Sequence, residues 1–374
     1  MNVPRLRFKE FGENWEIKKL GDIAENLQSG KSKERNENGD FILYGSTGAI
    51  GFCNQFEHEG KNILIARVGA NAGYLYEVDG NYCVSDNTLI LHLKYPNNYS
   101  FFYNLLRHIN LNKLVFGSGQ PLITGGQLKV LNVFVPSFQE QTKIANFLTA
   151  VDEKIAQIMQ KVELLARYKK GVMQQIFSQQ LRFKDDDGQD FPEWEDESLG
   201  GVGAIITGKT PSTTNESLWN GDIQFVTPTD ITEEKYQFKT QRTVENNANL
   251  KILPKNSIMF TCIASIGKMS LSVNPCITNQ QINSLIPKSS FNNEYVYYAL
   301  LSITEYIKST QANTTLPIIN KTEFSKFEIP VPSLHEQTKI ANFLTALDRK
   351  ISHNQNQLNA LKSYKQGLLQ QMFV

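Results

Sequence analysis

Residues 135–155 read VPSFQEQTKIANFLTAVDEKI, and residues 331–351 read VPSLHEQTKIANFLTALDRKI; at an offset of 196, 17 of the 21 positions are identical. Further along, YKKGVMQQIF (168–177) returns as YKQGLLQQMF (364–373) at the same offset. The repeated piece is therefore a whole helix, and its two copies organise everything else in the chain. Each copy opens with the pattern of a capping box, Ser137 with Glu140 and Ser333 with Glu336, directly after a proline that stops a strand. From there apolar residues fall four and three apart: Ile144, Leu148, Val151, Ile155, Ile158, Val162, Leu165, Val172 and Ile176. The second copy runs Ile340, Leu344, Leu347, Ile351, Asn354, Leu358, Leu361, Leu368 and Met372. Both seams skip a turn at the same place, Lys169 and Lys365. Two such seams predict long rods that pack on each other, each reaching roughly 60 Å for about 40 residues at 1.5 Å per residue.

The segments before the rods correspond more loosely. LRFK recurs at Leu6 and Leu181, SGKS (29–32) matches TGKT (207–210), and CVSDN (83–87) matches CITNQ (276–280). These stretches are rich in β-branched and aromatic residues broken by turn formers, which predicts a mixed α/β globule before each rod. The expected fold class is α+β, ordered as 1–136 globule, 137–180 helix, 181–332 globule and 333–374 helix. The chain ends QQMFV and begins MNVPRLRFK, whereas its middle reads QQIFSQQLRFK. Joining the ends nearly rebuilds that centre, so a cyclic pseudo-two-fold arrangement with antiparallel rods is expected.

Length agrees with this division: 374 residues exceed what one core usually organises. No apolar run suits a membrane span and no secretory signal pattern opens the chain, so a cytoplasmic location is expected. Four cysteines without a CxxC and five histidines offer neither a disulfide framework nor a metal site, and reduced buried thiols are expected. The net charge is +1, but residues 185–197 hold eight acids and no base, leaving 29 acids against 38 bases elsewhere. That surplus permits a polyanionic partner without demanding one.

The two copies differ most in their loops, where side chains suited to reading base edges gather. These are Lys31, Lys33, Arg35, Arg67, Asn71, Ser118 and Gln120 in the first globule. The second has Lys209, Ser212, Lys268, Asn279, Gln280, Gln281, Asn313 and Thr314. Arg and Lys suit guanine, Asn and Gln adenine. Off the helical seams, by contrast, Glu140, Gln141, Lys143, Asn146 and Asp152 are repeated identically as Glu336, Gln337, Lys339, Asn342 and Asp348. Solvent alone would accept substitutes there, so a shared partner surface is expected.

GAIITGKT (203–210) satisfies the spacing of a phosphate-binding loop, but Pro211 follows where a helix should begin. No catalytic signature stands out, and the chain is expected to catalyse nothing alone.

The order globule, VPS-x-x-EQ-x-KIA helix, globule, VPS-x-x-EQ-x-KIA helix resembles the specificity (S) subunit of type I restriction-modification systems over essentially the whole chain. The resemblance implies two target recognition domains, each reading half of a bipartite double-stranded DNA site. It implies a coiled coil that sets the spacer and docks two adenine-N6 methyltransferase subunits, with restriction subunits joining through the complex. S-adenosylmethionine, ATP and Mg2+ would serve the partner subunits, and no cofactor or metal would bind this chain. The competing expectation is a coiled-coil adaptor between proteins.

Overall fold

The computed structural model describes residues 3–117, 121–246, 250–311 and 317–374. Two compact units form: Met1–Gln160 with Asn354–Val374, and Lys161–His353. Each therefore takes a segment from both rods.

In the first half of the chain, β1 (Glu16–Lys19), α1 (Leu20–Ile23), β2 (Ala24–Ser29), β3 (Phe41–Gly45) and β4 (Gly48–Cys53) come first. Then follow β5 (His58–Glu59), β6 (Asn62–Ala66), β7 (Leu75–Val78), β8 (Asn81–Val84) and β9 (Thr88–Leu93). Helices α2 (Tyr99–Ile109) and α3 (Gly125–Lys129), strand β10 (Asn132–Val135) and the 40-residue helix α4 (Phe138–Phe177) complete this half. Strands β6 (NILIA) and β9 (TLILHL) are almost wholly buried, as continuous apolar runs require, and sit at the centre of a sheet ordered β2-β9-β6-β7. A second sheet runs β4-β3-β8-β5, with β3 and β8 parallel.

The second half repeats the plan. It holds β11 (Glu195–Ser198), α5 (Leu199–Val202), β12 (Gly203–Thr207), β13 (Trp219–Val226), β14 (Tyr236–Gln237) and β15 (Arg242–Val244). After them come β16 (Ile258–Thr261), β17 (Met269–Ser272), β18 (Cys276–Thr278), β19 (Ile282–Pro287), α6 (Asn293–Ser302) and α7 (Thr304–Ser309). The half closes with α8 (Lys321–Lys326), β20 (Glu328–Val331) and the 39-residue helix α9 (Leu334–Met372). Its sheets, β12-β19-β16-β17-β14 and β15-β13-β18, keep the earlier order, the first with β14 added at its edge and the second without a counterpart of β5, and β13 and β18 are again parallel. In both halves a two-stranded antiparallel stem, β1 with β10 and β11 with β20, closes the globule immediately before the long helix.

Within the first unit, Ile144, Leu148 and Val151 of α4 share one core with Leu368, Met372 and Phe373, Phe101 and Leu105 of α2, and Ile63 and Leu91 of the sheet. Within the second, Val172 and Ile176 share a core with Ile340 and Leu344, Tyr295 and Tyr298 of α6, and Phe260 and Leu285. The lysines that break each seam are ion-paired. Lys365 Nζ lies 2.5 Å from Asp152, and Lys169 Nζ lies 2.5 Å from Asp348, which are the same two residue types at the repeat offset. Asn354, the polar seam residue, is 3 % exposed.

Two expectations change. The capping boxes form only halfway: Ser137 and Ser333 accept from the amides of Glu140 and Glu336 at 3.3 Å, but the two carboxylates turn to arginines instead. Cys53 on β4 and Cys83 on β8 are joined by a disulfide that their spacing did not suggest, while Cys262 and Cys276 are buried free thiols. Burial pushes those two thiols up to about 11 and about 12, so both stay protonated and unreactive near neutral pH. Among the described residues no helix is long and apolar enough to cross a membrane.

Candidate nucleic-acid interface

In the first unit four loops meet where β2 and β6 end and β9 begins. The loop after β2 is fixed by Gly30 N to Thr88 O (2.9 Å) and Ser32 N to Val84 O (3.0 Å). Gly30 is required by close approach, because a Cβ there would lie 2.1 Å from the Val84 carbonyl oxygen. Arg67, just past β6, donates its amide to Asn87 O and accepts from Ile123 N, both at 2.9 Å, and Gly69 N donates to Pro121 O. The backbone thus ties the 30–35, 67–73, 85–87 and 121–123 segments into one edge. Lys31, Lys33, Arg35 and Asn71 are exposed on it and Arg67 is half-buried. Ser118 and Gln120 lie outside the described residues.

The second unit builds the same edge. Gly208 N bonds Ile282 O (3.1 Å), Lys209 N bonds Thr278 O (2.8 Å), Cys262 N bonds Gln281 O (2.8 Å), and Ile319 N bonds Cys262 O (2.9 Å). Gly208 again has no room for a Cβ, which would stand 2.2 Å from the carbonyl oxygens of Thr278 and Asn279. The side chains differ. Gln280 is held by Thr210 Oγ1 donating to its Oε1 (2.9 Å), and Asn279 Nδ2 donates to Gln281 Oε1 (3.0 Å), so two amides are pre-oriented where the first unit has Asp86 and Asn87. Lys209, Ser212, Lys268 and Gln280 are exposed, Gln281 is half-buried, and Asn279 is buried. Asn313 and Thr314 lie outside the described residues. No helix begins at Lys209–Thr210, so the phosphate-loop spacing has no phosphate-loop structure.

Sequence reasoning missed Arg242, whose guanidinium lies 3.5 Å from the Trp219 ring centroid, while Trp219 Nε1 donates to Ser212 O. This stacked cation stands beside the 208–212 loop, and no local sequence pattern announces it.

The repeated helix residues divide into two groups. Glu140 and Glu336 are 1 % and 0 % exposed, and Gln141 and Gln337 are each 2 %. They do not form an open docking patch. Glu140 takes a bidentate pair from Arg7 at 2.7 Å, and Glu336 takes Arg182 at 3.0 Å plus Trp194 Nε1 at 2.9 Å. Gln141 accepts from Asn98 N and donates to Pro136 O, and Gln337 does the same with Asn292 N and Pro332 O. Their identity across the copies therefore serves to lock each helix start to α2 or α6. Asp152 and Asp348 hold the seam lysines. Lys143 pairs with Glu10, and Lys339 with Asp186 of the acidic stretch. Asn146 and Asn342 remain exposed on both helices.

The Type I restriction modification DNA specificity domain matches twice, at residues 12–166 and 192–363. The chain belongs to this family. The Type I restriction enzyme MjaIX specificity subunit of Methanocaldococcus jannaschii is 32% identical over 207 residues, 53% of this chain and 48% of that protein. The chain thus aligns with about half the length of that relative. The MjaVIII specificity subunit of the same organism is 24% identical over 96% of this chain and 91% of its own length. The fold is similar to the crystal structure of the type I restriction-modification system S subunit from M. genitalium, with a TM-score of 0.69, 19% identity and coverage of 100% and 99% of the two chains. Each family match takes in one four-loop edge together with its stem strands and helix start.

Proposed function

We propose that this chain is the DNA-specificity subunit of a type I restriction-modification enzyme, non-catalytic alone, in which each globule reads one half of a bipartite duplex target. The observation that carries this reading is the four-loop edge built twice on one scaffold with different side chains. A shared frame with divergent loops suits two different ligands of one chemical class. Exposed lysines and an arginine supply backbone contacts, and pre-oriented amides and guanidinium groups suit base edges.

The long helices act as an antiparallel coiled coil of pseudo-two-fold symmetry that fixes the unread interval between half-sites. The matching Asp152–Lys365 and Asp348–Lys169 pairs support that register. Two adenine-N6 methyltransferase subunits dock along the helices, where Asn146 and Asn342 are among the repeated exposed residues. Those subunits would use S-adenosylmethionine, and restriction subunits would use ATP and Mg2+. The adaptor reading has no observation of its own.

Binding of duplex DNA by the full chain with its methyltransferase partners is expected to fall linearly on a log–log plot against salt. Replacing Lys31, Lys33 and Arg35 together by Ala should reduce that slope by about 2 to 3, at roughly 0.9 per phosphate contact. Binding that ignores salt, or a slope the triple variant leaves unchanged, would contradict the placement of DNA on this edge.

A further inference from the structure

Arg67 occupies a position that the scaffold does not need to be arginine. Its counterpart in the second unit is Cys262, which makes the same two backbone bonds, to Gln281 O and from Ile319 N. The flanking bridges also match, Val68 with Leu122 and Ile263 with Ile318. So do the left-handed residues that follow, Gly69 (φ 78°) and Ala264 (φ 61°), then Gly73 (φ 87°) and Gly267 (φ 95°). With the backbone equivalent, the guanidinium is an addition made by the first globule alone, and Cys262 at 2 % exposure offers nothing comparable.

The side chain is held for presentation. Its backbone is pinned to two loops, and Nε is enclosed without a hydrogen-bond partner among the described residues. Nη1 lies 3.4 Å from the Asp86 carbonyl, a long contact that orients the group without consuming its outer edge. With Nε turned inward, the outward edge carries the two terminal nitrogens, a rigid pair of donors. A phosphate is a poor match for that edge, because Asp86, whose backbone carbonyl faces Nη1, carries an exposed acidic side chain on the same loop edge. Neutral acceptors suit it better, and guanine O6 and N7 in the major groove form the pair whose spacing a guanidinium fork matches.

We propose that Arg67 is the guanine-reading residue of the first recognition unit, donating from its terminal nitrogens to O6 and N7 of one guanine in that half-site. This rests on the DNA-specificity reading above. In the second unit the equivalent position is Cys262, which makes no such contact.

The test selects a randomised duplex library on the full chain co-purified with methyltransferase subunits, using wild type, Arg67→Gln and Arg67→Lys, with a thermal melt of each. The expected result is a wild-type motif in which one guanine of one half-site loses its preference by roughly ten-fold or more in both variants, while the other half-site and the melting temperature stay unchanged. The lysine variant keeps the charge and loses the fork, so its failure to restore the guanine distinguishes base reading from attraction to phosphate. Retention of every motif position in both variants overturns the assignment. So does uniform weakening with a shallower salt dependence in Arg67→Gln that Arg67→Lys restores, since that describes a phosphate contact. A wild-type complex that selects no bipartite motif overturns the underlying DNA reading itself, a failure visible before any variant is compared.

Discussion

Arg182→Ala is expected to destabilise the second unit by about 3–5 kcal/mol, the cost of removing one partner from a buried ion pair. Glu336 is 0 % exposed, and among the described residues it keeps, without Arg182, only the Trp194 indole N–H as a donor from outside the helix. The pair also holds Arg182 above its ordinary pKa, chiefly through the hydrogen bond to Glu336. Arg7→Ala should do at least as much damage in the first unit. There Trp15, at the place of Trp194, leaves its Nε1 without a partner among the described residues and gives Glu140 no second donor. Urea unfolding of each variant supplies the number, and replacing Arg182 and Glu336 together by Met should recover most of the loss. A cost below about 1 kcal/mol would show that the carboxylate finds water once the arginine is gone.

Lengthening the helices should move the DNA spacer and leave both half-sites as they are. Each unit draws on α4 and α9 together, with Asp152 facing Lys365 in one and Lys169 facing Asp348 in the other, so both helices must grow to keep both pairs. Four residues inserted between Lys154 and Lys161, and four between Lys350 and Gln357, add roughly 6 Å at 1.5 Å per residue and enter a coiled coil as a stutter. At about 3.4 Å per base pair along a strand, the preferred spacer should grow by roughly one to two base pairs. Affinity for the original spacing should drop about ten-fold or more. One or two base pairs also turn one half-site by some 35–70° at about 10.5 base pairs per turn, and correcting that twist deforms the duplex. Methylated-site mapping of the insertion variant reads the spacer directly, and an unchanged interval at full activity would assign the ruler to something other than these helices.

The repeat made the architecture legible because a seam of apolar residues every three or four positions has few structural solutions. It also marked Lys169 and Lys365 as breaks, but could not say that Asp348 and Asp152 answer them, since a contact across about 200 residues leaves no local periodicity. The EQ dipeptide misled for a physical reason. Charged and amide side chains are usually exposed, and here Arg7 and Arg182, far away in sequence, make burial possible. Likewise the Cys53–Cys83 disulfide follows from β3 lying between β4 and β8, an adjacency that spacing alone does not contain. The loop residues were recognisable by type, yet their convergence depends on the β6–β9 and β16–β19 pairings. That Arg67 and Cys262 are equivalents emerges only from those registers.

Residues 20–131 sit as an insert between the stem strands β1 and β10, so they can be exchanged without cutting either long helix. The central claim is that each globule owns one half of a bipartite DNA target. Replacing residues 20–130 with the corresponding region of another family member, then mapping methylated adenines or selecting duplexes with the resulting complex, tests it directly. The account predicts a changed first half-site, with the second half-site and the interval between them preserved. If both half-sites change together, or neither does, the recognition edges do not act as independent readers and the account is wrong.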